Sequence, residues 1–86
     1  MTKSIFVGNL PTNVTENELQ QLFAEHGTVC SVMVIKDRIS GQSRGFGIVE
    51  MEEDEANYAI EQLNGVVFLG QNIQVAEPLG FSESQH

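Results

Sequence analysis

The sequence is short of basic residues, of cysteine and of any long apolar run. Lys and Arg together number 4 against 12 Asp and Glu, a formal net charge of −8 over 86 residues. Nucleic-acid partners select for the opposite sign, because Lys and Arg displace counterions from phosphates. Taken alone, the composition argues against such a partner. The single cysteine, Cys30, excludes an internal disulfide, so stability needs no oxidising compartment. The apolar run after Met1-Thr2-Lys3-Ser4 is too short for a secretory signal or a bilayer span. The expectation is a soluble, cytoplasmic protein with no membrane partner, in which the Asn13-Val14-Thr15 sequon is accidental. No linker, repeat, low-complexity tract or heptad run divides the chain, which reads as one small domain.

Reactive constellations are also missing. No Ser/His/Asp, Cys/His or paired-carboxylate set emerges, and His26 and Cys30 have no companion at metal-ligand spacing. Gly45-Phe46-Gly47 lies within a strand pattern, not at a strand-to-helix turn, so it is no phosphate cradle. Neither an enzyme nor a metal or cofactor is expected.

What is present is 41% apolar residues in two clear periodicities. Ser4 to Gly8 alternates as a strand, with Ile5 and Val7 on one face and Phe6 on the other. Thr15 can cap a helix, Glu18 can close a capping box, and Val14 can staple onto Leu19. Leu19, Leu22 and Phe23 then form one stripe, and Gly27 suits a left-handed helix end. Val29 to Lys36 alternates again, Val32 and Val34 opposing Met33 and Ile35. After a polar loop, Asp37 to Ser43, a third strand runs from Arg44 to Met51. Glu53, Asp54 and Glu55 charge the first turn of a second helix, whose stripe is Ala56, Ala59, Ile60 and Leu63 and whose end is Asn64-Gly65. Asn72 to Glu77 closes the series as a strand, Ile73 and Val75 inward. The order βαββαβ is best satisfied by one antiparallel sheet with both helices on one side, leaving the other face open.

Ile5-Phe6-Val7-Gly8-Asn9-Leu10 resembles the hexamer of RNA recognition motifs at every position. Arg44-Gly45-Phe46-Gly47-Ile48-Val49-Glu50-Met51 resembles their octamer and departs from it at Ile48 and Met51. Leu63-Asn64-Gly65 and Gly70 to Val75 also resemble family segments, so the likeness runs from about Ser4 to Ala76. In length and layout the chain is most similar to small single-motif bacterial RNA-binding proteins. The resemblance implies a ferredoxin-like α+β sandwich over residues 3–77, with strand order 4-1-3-2 and a short tail at 78–86. It implies a monomer that holds a few nucleotides of single-stranded RNA. Phe6 would stack one base, Phe46 would pack on the next base or its sugar, and Arg44 would pair with a phosphate. Ile48 stands where the family usually supplies a further aromatic; it can make apolar contact but cannot stack, which implies weak binding. Asn9 is expected to fix the turn after the first strand, and Gly45 and Gly47 to keep the third strand thin on its helix side.

All four basic residues, Lys3, Lys36, Arg38 and Arg44, are expected on the sheet face or its rim. Glu16, Glu18, Glu25, Glu53, Asp54, Glu55 and Glu61 are expected as a solvated acidic face on the helices. Gln74 and Asn72 are candidates for reading base edges, Lys36 and Arg38 for phosphate contact. Met33 and Ile35 pack beside Phe46, touch RNA, or lie under Leu79 and Phe81 folding back. A protein-interaction module is the alternative function, suggested by the acidic charge, Ile48 and the Met33/Ile35 patch. Some relatives bind peptides through an acidic first helix and an Arg-x-Phe loop, but Val67-Phe68-Leu69 lacks the Arg.

Overall fold

The structure, a computed structural model, describes residues 1–78. Six strands and two helices follow in the order β1 (Thr2–Gly8), α1 (Glu16–Ala24), β2 (Val29–Lys36), β3 (Ser43–Glu52), α2 (Glu53–Leu63), β4 (Val67–Phe68), β5 (Gln71–Asn72) and β6 (Gln74–Ala76). Four of the strands form one antiparallel sheet in the order β2-β3-β1-β6, while β4 and β5 form a separate two-stranded hairpin. The main sheet therefore has the implied arrangement. No helix among the described residues is long and apolar enough to cross a membrane.

The helix side of the sheet builds the core. Ile5 and Val7 of β1, Val34 of β2, Val49 and Met51 of β3 and Val75 of β6 are buried there, against Leu19 and Phe23 of α1 and Ala56, Ala59 and Leu63 of α2. Period-two alternation places all the strand residues in this set on one face.

Local chemistry sets the helix entries. Glu18 N–H donates to Thr15 Oγ1 at 3.1 Å, and Thr15 N–H donates back to Glu18 Oε1 at 3.0 Å, a complete capping box. Val14 and Leu19, the staple positions, are both buried. The carboxylates of the helices are less idle than a solvated face would be. Val34 N–H donates to Glu16 Oε2 at 3.1 Å, which satisfies a donor on the edge strand β2. Thr28 N–H donates to Glu55 Oε1 at 2.8 Å, tying the start of β2 to α2.

Three expectations need correction. The last strand is not continuous from Asn72: Leu69 (φ 53) and Gly70 (φ 88) turn the chain so that Gln71 and Asn72 pair with β4, and only Gln74–Ala76 joins the main sheet. Gly27 does not end α1 as a left-handed cap, since α1 closes at Glu25 and Gly27 has φ 154. Its role is space: a Cβ there would lie 2.7 Å from Glu55 Cβ and 2.9 Å from Met51 Cε. Gly45 is likewise not thinning the strand, because a Cβ would meet only Leu10 O at 3.6 Å; its φ of 91 is what requires glycine.

Gly47 is the residue that admits α1. A Cβ there would stand 2.9 Å from Leu19 Cδ2 and 3.0 Å from Met33 O, the second of which is backbone and cannot yield. Gly47→Ala should lower stability by about 1–3 kcal/mol, the usual cost of overpacking a filled core. Urea unfolding checks this; an unchanged midpoint would mean that α1 can shift to accept a methyl group.

Candidate nucleic-acid interface

The open face is ordered in rows by the strand registers. Ala76, Phe6, Ile48 and Met33 form one row from β6 to β2, and Gln74, Gly8, Phe46 and Ile35 form the next. Ser4, Glu50 and Ser31 form a third row on the other side of the first. The first two rows make an apolar platform at the centre of a sheet otherwise edged by polar groups. Phe46 is 44% exposed and Met33 53%, while Phe6, Ile48 and Ile35 are half-buried.

Phe6 and Phe46 are diagonal neighbours, with ring centroids 5.6 Å apart and planes tilted by 36°. Gly8 makes this approach possible. It sits directly opposite Phe46, and a Cβ on it would lie 3.0 Å from Phe6 Cε2. The Phe6 ring therefore leans over Gly8 toward Phe46, and the two rings form one continuous aromatic surface. Each ring keeps a face from which a planar, unpaired base can gain about 1–3 kcal/mol by stacking.

Polar groups frame the platform. Gln74 lines clefts on both sides: one of about 400 Å³ with Phe6 and Ala76, and one of about 500 Å³ with Arg44, Phe46, Asn9 and Thr12. Asn9, at φ 60, fixes the turn after β1 as expected, since Asn tolerates this conformation better than other side-chain-bearing residues. Its Nδ2 donates to Asn72 O at 2.7 Å, and Gln71 Nε2 donates to Asn9 O at 2.8 Å. Leu10 N–H donates to Gly45 O at 3.0 Å, which holds the exit of β1 against β3.

The four basic residues divide. Arg44 stands exposed on the open face beside Phe46, and Lys36 and Arg38 are exposed at the β2–β3 loop. Among the described residues none of these three has a carboxylate within ion-pair distance. Lys3 is different, and its assignment to the face is corrected. It shares the parity of Ile5 and Val7, so it points toward the helix side, where Nζ donates to Asn57 Oδ1 at 2.7 Å and Glu77 Oε2 at 2.8 Å. Lys3 clasps β1 to α2 and to the residue after β6. Asn72 is also displaced from its expected place: it belongs to β5, and its Nδ2 donates to Gly65 O at 3.1 Å.

The β2–β3 loop is pre-shaped by Asp37. Its Oδ1 accepts from Ile39 N–H at 2.8 Å and Ser40 N–H at 3.0 Å, and its backbone bonds Gln42 and Gly41. The bonds from the Ser40 and Ile39 amides, aided by the positive charge of Arg44, hold its carboxyl below the usual value of 3.8. The loop so formed carries Arg38 and presents Ile39 to solvent at 98% exposure. Leu79 and Phe81, considered as covers for Met33 and Ile35, lie outside the described residues.

Comparison with known proteins points the same way as the geometry. The sequence profile of the family described as RNA recognition motif matches residues 5–74. The 28 kDa ribonucleoprotein of spinach (Spinacia oleracea) chloroplasts is 49% identical over 72 residues, covering 83% of this chain and 31% of that protein. RbpA of the cyanobacterium Nostoc sp. is 49% identical over 73 residues, covering 84% of this chain and 72% of that protein. The chain thus spans under a third of the chloroplast relative and most of the bacterial one. The crystal structure of RNA binding protein PG1 superposes with a TM-score of 0.85 at 46% identity, over 90% of this chain and 94% of that one.

Asp37 gives a test of the loop. Its carboxyl is depressed in the folded state, so its contribution to loop order is present above the ordinary value of 3.8 and lost as pH falls through the lower folded value. Asp37→Ala should lower the protection factors of the Ile39 and Ser40 amides at neutral pH, and acidification of the native protein through its lowered folded value should do the same once exchange is normalised to the intrinsic rate at each pH. Amide exchange followed by NMR, showing protection unchanged in Asp37→Ala, would remove the carboxylate as the organiser.

Proposed function

The chain belongs to the RNA recognition motif family, and from that premise we propose that it binds a few nucleotides of single-stranded RNA across rows one and two of its open face. The observation that carries this reading is the tilted Phe6–Phe46 pair, two aromatic rings 5.6 Å apart on the face opposite α1 and α2, which among the described residues has no helix over it. Relatives bearing ribonucleoprotein and RNA-binding names support the ligand class.

Each side chain takes a role that its position allows. Phe6 stacks one base and Phe46 the next base or its sugar. Ile48 and Met33 extend the platform by apolar contact, since neither can stack. Arg44 neutralises a phosphate in the cleft beside Phe46, and Arg38 and Lys36 extend that positive edge along the loop. Gln74, whose amide flanks Phe6, reads a base edge. Lys3 and Asn72 are left out, because their polar groups already have partners within the fold.

Binding is weak on this reading. Two stacked bases contribute roughly 2–6 kcal/mol, which by itself corresponds to a dissociation constant from tens of millimolar to tens of micromolar. The recognition domain spans 3–77 and acts as a monomeric, non-catalytic module of the cytoplasm. A protein partner is a second reading, favoured by a groove of about 350 Å³ on the helix side, where Leu22, Phe68 and Leu69 are rimmed by Glu18 and Glu25. Recovery of RNA alone, without a stoichiometric protein, from a pull-down at low salt would count against it.

Phe6→Ala and Phe46→Ala should each weaken RNA binding by about 1–3 kcal/mol while leaving the fold intact. Fluorescence anisotropy with short single-stranded RNAs measures the loss, and unchanged affinity in both variants would overturn the interface. With three basic side chains available, the slope of log affinity against log salt should be no steeper than about −2, and Arg44→Ala should make it shallower by about 0.7. A steeper native slope would mean that phosphates are met elsewhere on the surface.

A further inference from the structure

The third row of the open face carries a charge that an RNA surface does not obviously want. Glu50 stands on β3 between Ser4 of β1 and Ser31 of β2, half-buried, on the face that bears Phe6, Phe46 and Ile48. Ser31 Oγ donates to its Oε1 at 3.3 Å. Among the described residues the carboxylate has no other hydrogen-bond partner and no cation within ion-pair distance. One oxygen is steadied and the group remains open to a ligand.

Two physical constraints decide what that ligand can be. A carboxylate repels phosphate, so a strand lying on the platform has to turn a base toward Glu50 and keep its backbone near Arg44. The register then brings a base within range. Phe6 pairs with Ile48, so Phe46 and Glu50 are its two diagonal neighbours on β3. Diagonal positions are about 7–8 Å apart, within reach of a long side chain. A base stacked on Phe6 therefore has the Glu50 carboxylate at its edge.

An ionised carboxylate accepts hydrogen bonds and cannot donate. Guanine offers two adjacent donors, N1–H and the 2-amino group, which match the two oxygens of a carboxylate. Cytosine and adenine each offer an amino group beside an acceptor nitrogen. Uracil presents one N–H flanked by two carbonyl oxygens, which face the carboxylate with like partial charge. Building on the sheet-face reading above, we infer that Glu50 is a specificity residue, selecting guanine for the base on Phe6 and rejecting uracil there.

The test compares two six-nucleotide single-stranded RNAs, one all uridine and one with a single central guanosine, by fluorescence anisotropy at one salt concentration. The guanosine-containing RNA should bind about tenfold more tightly, the scale of a good two-bond base contact. Glu50→Gln should bring the ratio close to one, because an amide offers one donor and one acceptor and pairs with either base. Loss of the charge should meanwhile raise affinity for the all-uridine RNA by removing a repulsion, so the ratio is the decisive readout. A native protein without guanine preference, or a preference that survives Glu50→Gln, overturns the assignment while leaving the interface standing if Phe6→Ala still weakens both RNAs. Indifference of both RNAs to Phe6→Ala sinks the interface and this inference together.

Discussion

The pairing of β1 with β3 is the constraint on which the rest depends. Seven residue pairs, from Thr2↔Glu52 to Gly8↔Phe46, lock the two central strands in antiparallel register. That register puts Ile5, Val7, Val49 and Met51 together on the helix side, each fully buried. It also puts Phe6, Phe46 and Ile48 together on the other side. A slip of β3 by one residue would reverse that strand's faces. Exposing its two inward residues, Val49 and Met51, would cost on the order of 3–6 kcal/mol, a large part of the whole stability of a small domain. Burying Phe46 and Ile48 in exchange could not offset this, because Arg44 and Glu50 share their face and would go in with them. The hydrophobic core and the candidate interface are thus two consequences of one register.

Glycine lets both faces work at once. Gly47 brings α1 against the back of β3, where a methyl group would meet Leu19 and the Met33 carbonyl. Gly8 does the corresponding job in front, giving the Phe6 ring room to lean toward Phe46. The two glycines are cross-strand neighbours of Val7 and Phe46 respectively, so they sit at the same point of the sheet and thin it from opposite sides. This explains why an aromatic pair can be close, tilted and partly exposed without a side chain wedged beneath it.

Much of this was legible in the sequence because it is local or periodic. The capping box of Thr15 and Glu18 needs only a three-residue spacing, and the burial of Ile5, Val7, Val49 and Met51 follows from alternation. The strand order came from resemblance, and the main sheet has it. What could not be read depends on partners distant in the chain. Lys3 has the parity of the inward residues, but its partners Asn57 and Glu77 are 54 and 74 residues away. The β4–β5 hairpin turns on Leu69 at φ 53 and Gly70 at φ 88; Gly70 is a usual turn residue, but Leu stands where Asn or Asp commonly precedes it, which weakened the signal. Asn72 followed that turn out of the main sheet. Glu50 was visible on the open face by alternation, and only the Ser31 contact and the diagonal register to Phe6 make it a candidate reader of bases.

An acidic chain on an anionic polymer ceases to be a contradiction once distances are compared with screening. The described part of the molecule is 36 × 29 × 21 Å, and the acids of α1 and α2 lie behind the sheet. At physiological ionic strength the Debye length is about 8 Å, so those charges act weakly through solvent on the open face. Charges on the open face itself are not removed in this way. Arg44 on one side of the platform and Glu50 on the other form a gradient across a few residues of β3. In the proposed mode backbone is drawn to the Arg44 end and base edges to the Glu50 end, which would orient a bound strand before any base is read. The weakness of the positive field then has a use. Without long-range attraction, duplexes and other polyanions gain little, and on the proposed interface affinity would fall to the contacts that only unstacked bases can make on Phe6 and Phe46.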